Sequence, residues 1–192
     1  MPRRSHLKSG LARAELLFVF ALLLILGSLI FPLWVEWRNY RGSIRAYSEL
    51  RLIISAADLY NREYRLWPAP DATGRTDVRY GWANGNSAII RILRGQEGEG
   101  NESHRANLQQ IDFIEIATRE GRWLAPRLDG DGNWIDPWGR NYQIVFDANY
   151  DNICSIPESS YSDVVGEGVV MWSMGPDRAP DNDDDLRTWM TQ

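Results

Sequence analysis

The chain is poor in the residues that usually build covalent and transition-metal sites. It has one cysteine, Cys154, and two histidines, His6 and His104. A single thiol excludes an intramolecular disulfide and a cysteine-based zinc site, and two histidines exclude a multi-histidine centre. Positive charge is scarce where most of the chain lies: residues 66–192 carry 11 Lys and Arg against 21 Asp and Glu. Nucleic acid as a partner is therefore not expected, because phosphate binding needs a cationic footprint. Gly95-Gln-Glu-Gly-Glu-Gly100 is glycine-rich, but no strand precedes it and no GK[ST] closes it, so it reads as a solvated loop and not a phosphate cradle. Aromatic residues are not lacking. With 9 Trp, 8 Tyr and 5 Phe, disorder throughout is excluded. At 192 residues there is room for one ordinary domain and an appendage.

The appendage is at the front. Leu16 to Val35 is a run of 20 residues without a charge. At about 1.5 Å per residue, a helix of that length covers the roughly 30 Å hydrocarbon core of a bilayer. Trp34 and Trp37 stand at its far end, where amphipathic rings favour the headgroup level. The run exceeds the ~7–15 residues of a secretory h-region and no A-x-A-like site follows, so retention of the segment is expected. Arg3, Arg4 and Lys8 precede it, but Arg38, Arg41 and Arg45 follow it, so charge gives only a slight preference for an inward N-terminus. Glu15 at the mouth of the span is a costly carboxylate unless it finds a partner or the interface. Pro32 removes a backbone donor near the outer end.

The order Lys8-Ser9-Gly10, Leu11-Ala12-Arg13-Ala14-Glu15 and then an apolar helix resembles the N-terminus of type IV pilins and type II secretion pseudopilins. The resemblance implies a basic leader of residues 1–10, removed after Gly10 by a prepilin peptidase, with Leu11 as the new, N-methylated first residue. Leu11 stands where the family usually has Phe or Met, and Arg13 lies in a segment that is usually more apolar. Glu15 then falls at the fifth place after the cut and Pro32 at the twenty-second, as is common in the family. It further implies that Glu15 pairs with the freed α-amine of a neighbouring subunit, which would make a charge that is expensive in lipid specify assembly.

Beyond the transmembrane segment at 11–35, the spacing of Ile44, Tyr47, Leu50, Ile54 and Ala57 predicts an amphipathic continuation over 36–67. Leu52, Ile53, Leu59 and Tyr60 broaden its apolar face, and Arg41, Arg45, Glu49, Arg51 and Arg62 lie elsewhere. Pro68 should stop it. Residues 68–133 read as a variable loop region with a short helix at Ser87–Arg94, and His104 within it as a surface histidine. From 134 to 192 the pattern is an antiparallel sheet, with a turn at Asp136-Pro-Trp-Gly139 and strands at Tyr142–Phe146 and Gly168–Trp172. The fold class expected is α+β and pilin-like: a long N-terminal helix packed on a small antiparallel sheet. The order of the DPWG turn, paired strands, Ser173-Met-Gly-Pro-Asp177 and an acidic loop before Trp189 is similar to the head of the major pseudopilin.

Five carboxylates fall between Asp177 and Asp185, where a hard cation with oxygen ligands would turn repulsion into cross-linking. The resemblance implies one Ca²⁺ in this loop, with Asp177 and the Asp184-Asp185 pair as side-chain ligands and carbonyls of Met174 and Asn182 as partners. Two other runs only begin like calcium loops. Asp129-Gly-Asp-Gly-Asn133 has Trp134 where the invariant Gly belongs, and Asp147–Asp151 is followed by Asn152 there, so both read as hairpin loops.

The resulting expectation is a structural subunit without catalysis of its own. It would sit in the bacterial inner membrane, N-terminus cytoplasmic and head periplasmic. It would assemble with copies of itself and with other pseudopilins on an inner-membrane secretion platform. A minor type IV pilin for adhesion, motility or DNA uptake is the alternative within the class. A membrane-anchored calcium-dependent binding module would not need Gly10, Glu15 and Pro32 in one register. A membrane-tethered hydrolase would need a nucleophile–base pair or paired carboxylates, and nothing in the spacing fixes two together.

Overall fold

The computed structural model describes residues 13–115, 127–156, 161–180 and 182–189. The fold is α+β, a long N-terminal helix and a small antiparallel sheet. The chain divides into two compact units, Met1–Tyr40 and Arg41–Gln192, the second of which we call the head.

In the first unit the described residues belong to helix α1, Arg13–Tyr64, which continues into the head. Between Leu16 and Leu33 the large apolar side chains are 44% to 70% exposed, on every side of the helix. Among the described residues, this is the one helix long and apolar enough to cross a membrane.

In the head, α1 buries Ala46, Leu50, Ile53, Ala57 and Tyr60, alternating steps of four and three that make one stripe. The expected apolar face meets this stripe at Leu50, Ile53, Ala57 and Tyr60 and departs from it elsewhere. Ile44, Leu52 and Leu59 are 56%, 41% and 50% exposed. At 3.6 residues per turn they lie on roughly the opposite side from the buried stripe. The buried side carries Ala46, Ala56 and Ala57, which share one apolar cluster with side chains of the sheet. Glu49, expected on the polar face, is buried as well. The helix ends at Tyr64, where Arg65 turns left-handed (φ 58°) and its N–H donates to the carbonyl of Asn61 at 2.8 Å.

Strands β1 (Val78–Tyr80), β4 (Gln143–Phe146), β7 (Val169–Ser173) and β8 (Leu186–Arg187) form the main sheet in the order β1-β4-β7-β8, each pair antiparallel. Two-stranded ladders join β2 (Arg127–Leu128) to β3 (Trp134–Ile135) and β5 (Ile153–Cys154) to β6 (Val164–Val165). The sheet separates two apolar clusters by strict alternation. Ile144, Phe146, Val169 and Met171 join the helix stripe, while Val145, Val170 and Trp172 face Cys154, Ile156 and Val164.

β1 corrects the reading of 68–133 as loop. Val78-Arg-Tyr80 is too short to show alternation, and its register with Ile144–Phe146 comes from the partner strand. β8 was missed for the same reason. The short helix α2, Ser87–Leu93, buries Ile89, Ile90, Ile92 and Leu93 in the helix-side cluster. His104 is half-buried, in a left-handed turn (φ 58°), and not simply a surface side chain.

Three asparagines with no exposed surface tie these loops together. Asn86 donates to the carbonyls of Trp134 (3.0 Å) and Tyr142 (3.2 Å) and accepts the Trp134 N–H at 2.7 Å. Asn101 accepts the N–H groups of Ala106 and Asn107, both at 3.0 Å. Asn107 donates to the carbonyls of Ile92 and Ile111 and accepts the Tyr64 hydroxyl, each at 2.8 Å. Buried backbone groups find side-chain partners in this way.

Candidate functional site

Two regions carry the residues singled out by sequence. Gly10 and Leu11 lie outside the described residues. Glu15 stands in the first turn of α1, exposed, where a carboxylate also meets the positive end of the helix dipole. Pro32 is inside α1 and cannot donate to the carbonyl four residues back, that of Ser28. The Ser28 hydroxyl donates to the carbonyl of Ile25 at 2.7 Å.

The second region is the loop after β7. Ser173 closes that strand with its hydroxyl donating to Asp136 Oδ2 at 2.6 Å. The other oxygen of Asp136 accepts the N–H groups of Trp138 (3.0 Å) and Arg140 (2.9 Å), which locks the DPWG turn. Trp138 in that turn lies against Gly42 of α1, where a Cβ would come within 2.9 Å of the indole. Two residues on from Ser173, Gly175 adopts φ 65°, and a Cβ there would meet the Asp184 carbonyl at 2.5 Å. The loop therefore closes on itself: the Asp177 N–H donates to Asp184 Oδ2 at 3.3 Å. Asn182 donates to Asp177 Oδ2 at 2.9 Å and accepts the Asp184 N–H at 3.1 Å.

Asp177, Asn182 and Asp184 are thus brought together, and Met174 sits half-buried at the start of the loop. Asp185 is not part of that group. It is buried and accepts a hydrogen bond from the Tyr161 hydroxyl, while Arg187 lies 4.6 Å from the centroid of the same ring. Tyr161, Trp172 and Trp189 pack edge to face with centroids 5.8–6.3 Å apart. The oxygen-only donors of Asp177, Asn182 and Asp184 suit a hard cation. Among the described residues no three Asp, Glu, His or Cys side chains converge as a metal site.

The two loops that only begin like calcium sites spend their carboxylates on their own backbones. Asp129 accepts from the N–H groups of Asp131 (3.0 Å) and Asn133 (2.8 Å) in the β2–β3 hairpin. Burial pushes its carboxyl up, but the Asn133 side chain and these backbone bonds together outweigh it and hold it below the usual range. Asp147 accepts from Asp151 and Asn152, but its loop joins β4 to β5 in different sheets and is not a hairpin.

Sequence reasoning missed one polar lock. Glu49 of α1 accepts from Arg45 Nε at 2.7 Å and from the Tyr142 hydroxyl at 2.6 Å. Helix and sheet are joined through these bonds in a buried setting. Burial, and next the Glu49 carboxylate, push the Tyr142 phenol up. Burial also pushes Tyr80 up, and takes Tyr60 and Cys154 from their usual 10.0 and 9.0 each to about 12.

The three buried phenols make the head sensitive to alkali. Unfolding lets Tyr60 ionise near its usual 10.0, whereas the folded chain holds the proton to about 12. Between those values the unfolded state binds fewer protons, so stability falls as pH rises and is fully present below pH 10. Tyr80 and Tyr142 act in the same direction. Absorbance at 295 nm should show these three of the 8 tyrosines ionising together with loss of near-UV dichroism. Their ionisation with that signal intact would contradict the burial argument.

The chain matches no family model, no curated protein and no solved structure in the comparisons made.

Proposed function

We propose that the chain is a structural subunit of a type II secretion pseudopilus, held in the bacterial inner membrane with its head in the periplasm. The observation that carries this reading is α1: one helix of 52 residues that has Glu15 in its first turn, Pro32 within its apolar part, and a small antiparallel sheet packed on its later turns. Prepilin peptidase would remove residues 1–10, and the freed Leu11 amine of one copy would meet Glu15 of the next. The apolar parts of neighbouring copies, and of other pseudopilins, would then pack side by side on the secretion platform. The subunit itself needs no reacting group; its work is to assemble. N-terminal sequencing of the chain from its host is expected to begin at Leu11. A mature protein that still begins at Met1 would overturn the reading.

Calcium belongs to the same proposal. Asp177 and Asp184, with carbonyls of Met174 and Asn182, would hold Ca²⁺ and replace the loop's internal bonds with stronger oxygen contacts. Asp185 is committed to Tyr161 and stays out of this set. A cation present at a hundred times its Kd adds about 2.7 kcal/mol to the native state. Chelation with EDTA should then lower the melting temperature by about 5–10 °C. An unchanged melt, with no metal found by native mass spectrometry, would remove the calcium.

A further inference from the structure

We infer that the last turn of the apolar span forms a seat for the phosphate of an anionic phospholipid, made by Arg38 resting on the face of Trp34. The inference rests on the membrane-spanning reading of α1. The Arg38 guanidinium carbon lies 5.4 Å from the centroid of the Trp34 ring. A cation held over an indole is oriented by the ring's quadrupole, and the planar guanidinium keeps its N–H edge for a second partner. That edge is accessible: Arg38 is exposed, and Trp34 and Trp37 are 50% and 54% exposed. Glu36, the acidic residue of this turn, lies about 160° around the helix from Arg38 and does not compete.

Depth supports the assignment. Arg38 comes 22 positions after Leu16, a rise of about 33 Å. The hydrocarbon core is roughly 30 Å thick. With Leu16 at one boundary, Trp34 reaches the opposite boundary from within and Arg38 emerges among the phosphates. A zwitterionic headgroup carries its own cation, which competes for its phosphate; an anionic headgroup does not. The seat therefore selects anionic lipid, and it fixes how deep the helix sits.

The full-length chain in nanodiscs of phosphatidylcholine and phosphatidylglycerol (4:1) tests this by native mass spectrometry of the lipids retained. Phosphatidylglycerol should be enriched over its bulk share, and Arg38→Gln should reduce that enrichment roughly fivefold. Trp34→Leu removes the platform without changing charge and should reduce it about two- to threefold. Arg38→Gln with unaltered enrichment overturns the seat. So does a loss in Arg38→Gln that Trp34→Leu does not share, because charge alone would then explain the lipid. Extraction with alkaline carbonate separates the underlying reading: a wild-type chain that washes off membranes ends the spanning reading itself. One that stays, with no Arg38-dependent enrichment, ends only the seat.

Discussion

Truncation of Glu49 to alanine is expected to destabilise the head by about 3–5 kcal/mol, the cost of breaking a buried charge pair from one side. Its side chain is 5% exposed and that of its partner Arg45 is 14% exposed. Removing the carboxylate takes away the acceptor that Arg45 Nε and the Tyr142 hydroxyl share. Tyr142→Phe removes one donor and keeps the ion pair, so its expected cost is smaller, about 1–3 kcal/mol. Glu49→Met, which fills the space without charge, should fall between wild type and alanine, because a buried pair contributes less than the damage done by halving it. Chemical denaturation of the full chain in detergent, followed by near-UV dichroism, measures all three. A Glu49→Ala loss under 1 kcal/mol would mean that the network is dispensable.

Glu15→Leu should separate two properties that ordinarily move together. Leucine is easier than an acidic residue to place in hydrocarbon, by roughly 2.5–3.5 kcal/mol near a helix centre and less at its end. The variant should therefore enter the membrane at least as well as wild type. Under the assembly proposal it nevertheless loses the partner for the neighbour's amine, and its incorporation into filaments should fall more than tenfold. Membrane fractionation and quantification of sheared filaments give the two readouts. Glu15→Asp, which keeps the charge on a shorter arm, is expected to retain part of the incorporation. Equal incorporation of Glu15→Leu and wild type would remove the proposed role.

The elements legible in the sequence were those whose pattern is long or whose turn chemistry is local. The charge-free run before Glu36 gives a spanning-type helix by length alone. The DPWG turn is legible because Asp136, Pro137 and Gly139 each have a local conformational role, and the structure adds that Asp136 also captures Ser173. What failed was decided by partners far away in sequence. Along α1 the period picks out Leu50, Ile53, Ala57 and Tyr60, but that Ala46 and Ala56 are buried beside them, and Ile44 and Leu52 are not, is decided by what packs on the helix. Glu49 looked solvated because nothing local announces that Tyr142, 93 positions later, will donate to it. β1 and β8 are strands because β4 and β7 offer them edges. In the acidic loop the density of carboxylates was visible, but the division between Asp184, which turns into the loop, and Asp185, which turns to Tyr161, was not. Asp184 lies in the turn and Asp185 at its exit into β8, and the packing of Tyr161 decides which of them is drawn away from the loop.

The amide clasps of Asn86, Asn101 and Asn107 have a consequence for where this head can fold. Their bonds involve no electron transfer, and the one thiol, Cys154, is buried. Its shape is accordingly indifferent to the oxidising or reducing character of its surroundings. The head could acquire its final form in either kind of compartment, without help from an enzyme that makes or reshuffles sulfur bridges.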